Sequence, residues 1–538
     1  MIEEIVVGSV EVEGRDIKRE DNMGTPLGWA AGNGHEEVVR ELLSRDDIDP
    51  DRPGADGETP LLRAVRNGHE GVVKMLLGRD DVSPNTLDED GELPLLWAAH
   101  NGHEAVTKLL LGRDDINPNQ PGCGGQTPLL QAVRNGHEKI VEMLLGRDDI
   151  DPNKPDEGGE VPLMSAARNG HEGVVEILLR QGDIAPDKAD RYGQTPLLLA
   201  ACEGHEGVVK ILLGRDDVNP NTLDEDGETP LTRAVWNGHE GVVKVLLGQD
   251  NIDPNKPSWD CQTPLSLAAC RGRERVVKML LGRDDIDPNK LGEDGQTPLL
   301  QAVRNGHERT AEMLLERDDI DPNKPDEDGE VPLMLAALNG HEGVVELLLR
   351  QGDIDPDMSD KYGQTPLLLA ACDGHAGVVK MLLERDDVNP NKPDENGEVP
   401  LTRAVWNGHE GVVRELLGRD DIDPDKPSAD GETPLLLASC KGDEGIAEML
   451  LGRDDVNPDK SNQFGWTPLL GAAYNGHEGV VKMLLGLDDI DPNKLGANGQ
   501  TPLLQAIRNG HEGVARILLG RADVNPDRPN GDGQTPLL

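Results

Sequence analysis

The feature of this sequence that most constrains its fold is a repeat with a constant period of 34 residues. A fixed period of this length is typical of a solenoid, in which each repeat buries its apolar face only against its neighbours. The motif begins with TPL, as in GETPLL and GQTPLL, and its Thr or a substitute stands at positions 25, 59, 93, 127, 161, 195, 229, 263, 297, 331, 365, 399, 433, 467, 501 and 535. The sequence therefore predicts one array over 25–534, numbered here as repeats 1 to 15. A segment of uncertain structure (1–24) precedes it, and a truncated repeat (535–538) follows.

Each repeat begins with the pattern of a short helix. In repeat 6, Thr195 is placed to cap a helix, and Pro196 follows at the first helical position, where its missing N–H costs nothing. The apolar run LLLAAC comes next, and Gly204 ends it. A Gly stands at this point in all fifteen repeats, which suits a residue that must adopt a left-handed conformation at a helix C-terminus.

A second helix and a connecting loop complete the repeat. The run HEGVVKILL places Val208, Val209, Leu212 and Leu213 at the one-face spacing of an amphipathic helix. The loop GRDDVNPNTLDEDGE contains a Pro in every repeat and often an Asp-Gly or Asn-Gly turn, so it predicts an extended, hairpin-like finger. The repeat is therefore predicted to be helix, turn, helix and finger.

Composition and charge limit the possible partners. The 538 residues include only six Trp, three Tyr and one Phe, so the core must be built from Leu, Val and Ala. A net charge of −49 repels nucleic-acid phosphate and anionic lipid, and the scarcity of aromatic residues removes stacking platforms for single strands. We therefore expect a protein partner, basic proteins included, rather than nucleic acid or membrane.

The chain carries no sign of export or of membrane insertion. The N-terminus MIEEIVVGSVEVEGRD has acidic residues where a signal peptide needs positive charge. No stretch approaches the ~20 apolar residues of a membrane span, and the six cysteines are too few and too dispersed for a disulfide framework. An intracellular location, cytoplasmic or nuclear, is expected.

The motif TPLLLAACEGHEGVVKILL resembles the ankyrin repeat, TPLHLAAxxGHxxVVxLLL, almost position for position, from about residue 20 to the C-terminus. The resemblance implies an all-α solenoid of about fifteen helix-turn-helix units with short fingers. The repeat array of this chain is also similar to the long ankyrin arrays of fungal multidomain receptors. Two departures are visible. The His of TPLH is replaced, for example by Leu198, Thr232, Ser266 or Met334, and the finger is shorter before its Val and longer after it.

A longer period of five repeats lies on top of the first. RYGQTPLLLAACEGHEGVVKILL, starting at Arg191, returns as KYGQTPLLLAACDGHAGVVKMLL, starting at Lys361, 170 residues later. Tandem duplication of a five-repeat block explains this, so part of the repetition records copying rather than function.

The His-Glu pair that opens the second helix raises the possibility of a zinc site. His69 and Glu70 begin like HExxH, but Val73 occupies the place of the second His. Helices that stack side by side lie about 8–10 Å apart, whereas zinc ligands lie ~2.1 Å from the metal, so neighbouring repeats cannot share an ion. The resemblance implies instead that this His belongs to the inter-helix turn.

The acidic finger allows a calcium alternative. DIDPNKPDEDGE places Asp319, Asp321, Asn323 and Glu330 at the first, third, fifth and twelfth positions of an EF-hand loop. Lys324, however, stands where the sixth position needs a Gly. An acidic calcium-binding structural protein therefore stays as the alternative function.

No catalytic or cofactor motif is present in the sequence. There is no phosphate-binding loop, and Cys202, Cys270, Cys372 and Cys440 occupy equivalent positions two or three repeats apart, too far for a disulfide. The repeats also leave no chain for a catalytic domain. We expect no enzyme activity and no cofactor.

The seventh position after the Thr, called the seventh column below, is the candidate binding site. It varies freely, while the position two residues before it is always Ala, and Trp, Tyr and Arg are the residues enriched at binding hot spots. The ankyrin resemblance implies that it faces the concave groove that holds partners. The alternative is a tolerant, exposed helix end, with Trp406 a copy of Trp236. The predicted partner-binding residues are Arg66, His100, Arg134, Arg168, Trp236, Arg304, Trp406, Tyr474 and Arg508.

The sequence thus predicts a non-catalytic scaffold or recognition module that binds a protein. Because the repeat pattern stops at GDGQTPLL, we also expect the native array to continue or to associate end to end.

Overall fold

The computed structural model describes residues 24–292, 295–496 and 499–529. The predicted N-terminal segment, apart from Gly24, and the predicted truncated repeat lie outside these residues. The chain divides into two compact bodies, residues 1–249 and 250–538, and the division falls after the second helix of repeat 7. Each body is a stack of the same helix-turn-helix pairs.

The first helix of each repeat begins at the Pro of TPL. The bounds are Pro26–Gly32, Pro60–Arg66, Pro94–Asn101, Pro128–Arg134, Pro162–Asn169, Pro196–Glu203, Pro230–Asn237, Pro264–Cys270, Pro298–Arg304, Pro332–Leu338, Pro366–Asp373, Pro400–Asn407, Pro434–Lys441, Pro468–Asn475 and Pro502–Arg508.

The second helix begins directly after the residue that follows the helix-ending Gly. This residue is His in all repeats but two, which have Arg273 and Asp443, and it is called the His column below. The bounds are Glu36–Leu43, Glu70–Leu77, Glu104–Leu111, Glu138–Leu145, Glu172–Leu179, Glu206–Leu213, Glu240–Leu247, Glu274–Leu281, Glu308–Leu315, Glu342–Leu349, Ala376–Leu383, Glu410–Leu417, Glu444–Leu451, Glu478–Leu485 and Glu512–Leu519.

The predicted helix signals act as expected. The backbone N–H of Leu198 donates to Thr195 Oγ1 at 3.3 Å, and Pro196 is the first residue of its helix. In four repeats the cap position holds a Val or Leu that is buried and makes no cap bond. Gly204 ends the helix with φ +83°, in the left-handed region that its position requires.

The core is thin and aliphatic, as the composition predicts. In repeat 6 the buried residues of the two helices are Leu197, Leu198, Leu199, Ala200, Ala201, Val208, Val209 and Leu212. Leu213, which the periodicity placed on the same face, is only half-buried. The residues that replace the His of TPLH are part of this core: Leu198, Thr232, Ser266 and Met334 are all buried.

The fingers are turns rather than strands; no strand occurs in the described ranges. In repeat 6 the turn is closed by the carboxylate of Asp224, whose Oδ1 accepts from the N–H of Glu228 at 2.8 Å. The Gly227 N–H donates to the Asp224 carbonyl at 3.0 Å. One finger, in the GCGG variant, contains a short 3-10 helix at Cys123–Gly125.

An arginine that follows the second helix links successive repeats. The Arg453 guanidinium donates to the Leu417 carbonyl of the preceding repeat at 2.8 Å and binds the Asp455 carboxylate through two nitrogens at 2.9 and 2.7 Å. It therefore satisfies a carbonyl at the C-terminus of the preceding helix, where positive charge is favourable. Eleven repeats carry an Arg-x-Asp pair at this position.

Candidate protein-binding face

The seventh column lies at the end of the first helix, and none of its described residues is buried. Trp236, Trp406 and Tyr474 expose 47%, 52% and 42% of their surface. Single exposed aromatic side chains are common on protein surfaces, and aromatic residues are also enriched where partners bind. This placement is compatible with both readings of the column, a binding surface and a tolerant helix end.

The arginines of the column are held by finger carboxylates. Arg134 lies 3.4 Å from Glu160 and 3.8 Å from Asp156, both in the finger that follows it. Arg168 approaches the other oxygen of Glu160 at 3.8 Å, so the two predicted residues converge on one carboxylate.

Arg304 repeats this arrangement in the second body, 3.4 Å from Glu330 and 3.8 Å from Asp326. Burial raises the pKa of Glu330, and the nearby Asp326 carboxylate raises it further, whereas the Arg304 guanidinium opposes the shift. The positive charge of Arg304 therefore partly compensates the negative charge of the half-buried Glu330 carboxylate.

Arg66 and His100 meet around a shared aromatic ring. The Arg66 guanidinium pairs with Glu58 and lies over the ring of Trp97, 3.9 Å from its centroid. The His100 ring contacts Trp97 edge-on at 5.8 Å, and its Nδ1 lies 3.0 Å from Gln131 Oε1. These two predicted residues are thus brought together, but as members of a side-chain network.

The aromatic members of the column and the last arginine lie in different surroundings. Lys441 Nζ lies over the Trp406 ring at 4.7 Å, and Tyr474 packs edge-on against Trp466 at 5.1 Å. Arg508 is exposed.

Two exposed tyrosines on the fingers were missed by the sequence analysis. Tyr192 and Tyr362 stand three residues before the Thr column and are 49% and 52% exposed. The preceding cation lies over each ring, Arg191 at 4.8 Å and Lys361 at 5.1 Å. The available signal was their rarity, since this position otherwise holds mostly Asp, Asn or Gly and the chain has few aromatic residues.

A cleft in the first body combines these features. It has a volume of about 440 Å³ and lies between the fingers that precede repeats 5, 6 and 7. Tyr192, Arg191 and Arg168 line it together with six carboxylates, those of Asp156, Glu160, Asp190, Asp224, Glu225 and Asp226. The cleft therefore combines an aromatic surface with an excess of negative charge.

The His column acts between repeats, not only within its own turn as the resemblance implied. His239 Nε2 lies 2.8 Å from the carbonyl oxygen of Cys202, the seventh-column residue of the preceding repeat. The same bond occurs for every described His of the column after the first. The column thus fixes the backbone that presents the candidate residues.

Each of the four EF-hand-like residues already has a partner within the protein, and that of Glu330 is Arg304, as described above. Asp319 binds the Arg317 guanidinium at 2.8 Å through each of its oxygens, and Asn323 donates to the Asp353 carbonyl at 2.6 Å. Asp321 Oδ1 accepts from the Asn323 N–H at 2.9 Å. Nowhere among the described residues do three His, Cys, Asp or Glu side chains form a group that could hold a metal ion.

Helix pairs stacked in sequence order and joined by turn-like fingers define this chain as an all-α repeat solenoid. Its family is shown by comparison. Residues 4–88, 80–156, 163–258, 253–326, 333–428 and 401–495 match ankyrin repeats in three copies, residues 305–349 match ankyrin repeats in many copies, and residues 498–530 match a single ankyrin repeat. The chain belongs to the ankyrin-repeat family.

Ankyrin repeats are generally protein–protein interaction modules, and proteins built from them are typically non-catalytic scaffolds. No curated protein matches this chain. Across the part of the chain that the structure describes, no helix has the length and apolar character to span a bilayer.

Proposed function

We propose that this chain is a recognition module that binds a cationic segment of a partner protein on the face formed by the fingers and the ends of the first helices. The observation that carries the proposal is the cleft at Tyr192, where an exposed aromatic ring is surrounded by carboxylates. A guanidinium or ammonium group gains from both, through a cation–π contact and charge-assisted hydrogen bonds.

The cleft already holds cations from its own chain. Arg191 lies over the Tyr192 ring, and Arg168 approaches Glu160. These contacts are partly exposed and therefore weak, so a partner's arginine can compete for the same ring and carboxylates. In this proposal Arg66, Arg134, Arg168 and Arg304 position the carboxylates, while Trp236, Trp406 and Tyr474 supply apolar contact area.

The five-repeat duplication supplies a related surface in the second body. Tyr362 stands in place of Tyr192 with Lys361 over its ring, and Trp406 stands in place of Trp236. Leu338 replaces Arg168 and Asn396 replaces Asp226. Because the ring and most of the carboxylates are retained, we infer that both surfaces bind the same class of ligand with different strength.

A labelled peptide of alternating Gly and Arg tests the proposal, with the citrulline peptide as its neutral isostere. We expect the arginine peptide to bind the full chain, and the Tyr192→Ala/Tyr362→Ala double variant to bind it about tenfold more weakly, the effect of losing roughly 1–2 kcal/mol of cation–π and packing energy. Val38→Ala, at an exposed apolar residue of a second helix, is the matched control. Equal binding of the citrulline peptide would contradict the proposal.

A second comparison separates recognition from folding in the turn TRAVWNGHE. Trp236→Ala should leave the melting temperature nearly unchanged and weaken peptide binding. His239→Ala removes the 2.8 Å bond to the Cys202 carbonyl and should cost about 1 kcal/mol of stability, with little effect on binding by the folded protein. The opposite pattern would make the seventh column part of the core and the His column the site.

A further inference from the structure

The residue that follows the finger proline, called the rung residue, links each finger to the next. It is Asn in nine repeats and Asp in six: Asp51, Asn85, Asn119, Asn153, Asp187, Asn221, Asn255, Asn289, Asn323, Asp357, Asn391, Asp425, Asp459, Asn493 and Asp527. The two residue types are nearly the same in shape but differ in hydrogen bonding. Asn has a donor and an acceptor, whereas an ionised Asp has acceptors only.

Two bonds to the next finger are made by the Asn rungs Asn119, Asn153, Asn255, Asn323, Asn391 and Asn493. Asn391 Nδ2 donates to the Asp421 carbonyl, thirty residues later, at 2.7 Å. Asn391 Oδ1 accepts from the Asp423 N–H at 2.8 Å. Both polar groups of the amide are thereby satisfied, and so is one carbonyl of the neighbouring finger.

An Asp rung makes only the second of these bonds. The Asn389 N–H donates to Asp357 Oδ2 at 2.9 Å, and the Asn457 N–H donates to Asp425 Oδ2 at 2.9 Å. The other oxygen, Oδ1, is shielded from solvent and has no hydrogen-bond partner in Asp51, Asp187, Asp357, Asp425 and Asp459. This same defect in five repeats points to the position itself as its cause.

A proton removes the defect. A protonated carboxyl group has one O–H donor and one carbonyl acceptor, the same pair of groups as an amide. We propose that protonation of the Asp rungs strengthens the contact between successive fingers. Once protonated, Oδ1 donates to the carbonyl thirty residues later, as Nδ2 of an Asn rung does. This proposal concerns the fingers themselves and does not depend on the partner proposed above.

The charged surroundings support this assignment. Burial raises the pKa of Asp357, Asp425 and Asp459, and the N–H bond from the next finger opposes the shift in each. A lysine of the next finger, three residues after the residue whose N–H bonds the rung, also lowers each pKa, while neighbouring carboxylates raise it. The facing charged groups are Lys392, Asp355 and Asp387 for Asp357; Lys460, Asp423 and Asp455 for Asp425; and Lys494 and Asp491 for Asp459.

In Asp51 and Asp187 no lysine contributes. Burial again raises the pKa most, with Asp49 and Asp81 adding to it for Asp51 and Asp217 for Asp187. Because the folded-state pKa of these Asp rungs lies above the unfolded value, the stabilisation contributed by their protonated form is fully present below the ordinary aspartate pKa. It is lost as the pH rises through the raised folded value. At neutral pH the contacts between successive fingers are therefore weaker at the Asp rungs than at the Asn rungs.

The test uses the full chain and follows the urea midpoint from about pH 8 down to about pH 4, close to the ordinary aspartate pKa. The double variant D357N/D425N installs the amide permanently, and we expect a higher midpoint than wild type at pH 8 and a difference that shrinks as the pH falls. N391D creates a new Asp rung and should lower the midpoint at pH 8, with recovery on acidification.

The control is the double variant D355N/D423N, which removes the same two charges from exposed residues of the same two fingers. It separates the loss of repulsion among acidic residues from the gain of a hydrogen bond. The proposal is overturned if D357N/D425N changes the midpoint no more than D355N/D423N does, or if its gain is constant across the pH range. It is also overturned if N391D is as stable as wild type at pH 8.

Discussion

The glycine that ends the first helix is predicted to have two separate functions: it adopts a left-handed backbone conformation, and it leaves room for the His of the next repeat. Two neighbouring repeats allow the two contributions to be measured separately. Gly374 and Gly408 are equivalent residues with φ of +84° and +77°. A Cβ on Gly374 would lie 2.7 Å from Nδ1 of His409, whereas on Gly408 the nearest atom would be Asp443 Oδ2, at 3.9 Å. The substitution to Ala therefore strains the backbone at both positions but meets an obstacle at only one.

The expected costs follow from these distances. Forcing Ala into the left-handed region costs roughly 1–2 kcal/mol, which is the whole effect expected for Gly408→Ala. In Gly374→Ala the His409 ring must also move, which adds about 1–3 kcal/mol of overpacking. Its 2.9 Å bond to the Cys372 carbonyl is then lost, for about 1 kcal/mol more. We expect about 3–6 kcal/mol in total, and the unfolded-state effect of Gly→Ala cancels in the comparison.

Urea unfolding followed by far-UV circular dichroism gives the two free energies, and hydrogen exchange across repeats 11 to 13 shows whether the loss is local. Adding His409→Asp to Gly374→Ala removes the obstructing ring, so the double variant should be less destabilised than the sum of its single variants. Equal costs for the two Gly→Ala variants, or strict additivity in the double variant, would refute the idea that the glycine makes room for the next repeat's histidine.

Two further predictions concern cysteines. Cys261 has φ +56° at a finger-turn position where other repeats have Gly. Cys261→Gly should therefore raise stability by about 0.5–1 kcal/mol in thermal unfolding, because the roughly 1–2 kcal/mol of strain that it relieves exceeds the cost of the greater chain entropy of Gly. A lower melting temperature would contradict this. Burial raises the pKa of the Cys440 thiol to about 12, and Glu432 adds to the shift. Cys440 should therefore react with iodoacetamide at about pH 8 far more slowly than exposed Cys261 does, and mass spectrometry of the native protein measures the two rates. Comparable alkylation rates would show that Cys440 is not protected by its surroundings.

Much of the fold was predictable because its signals are local. The Thr cap at Thr195, the Pro that follows it and the left-handed Gly204 each act within one turn of helix. Their repetition every 34 residues then made the all-α solenoid predictable. The candidate site was predictable only in part. The seventh column could be recognised by its variation, and it is not buried, but whether it binds a partner stays a prediction.

The sequence by itself determined which residues cap, turn and fill each repeat, because those choices depend on atoms a few positions apart. Only the tertiary structure decided which residues meet across repeats. Arg134 and Arg168 converge on Glu160, the His239 ring binds the Cys202 carbonyl, and the rung Asp357 keeps one oxygen without a donor. Arg134 lies 26 residues from Glu160 and His239 lies 37 residues from Cys202, and stacking brings these partners together. The energy of each contact depends on burial and on distances that a periodic sequence pattern does not contain.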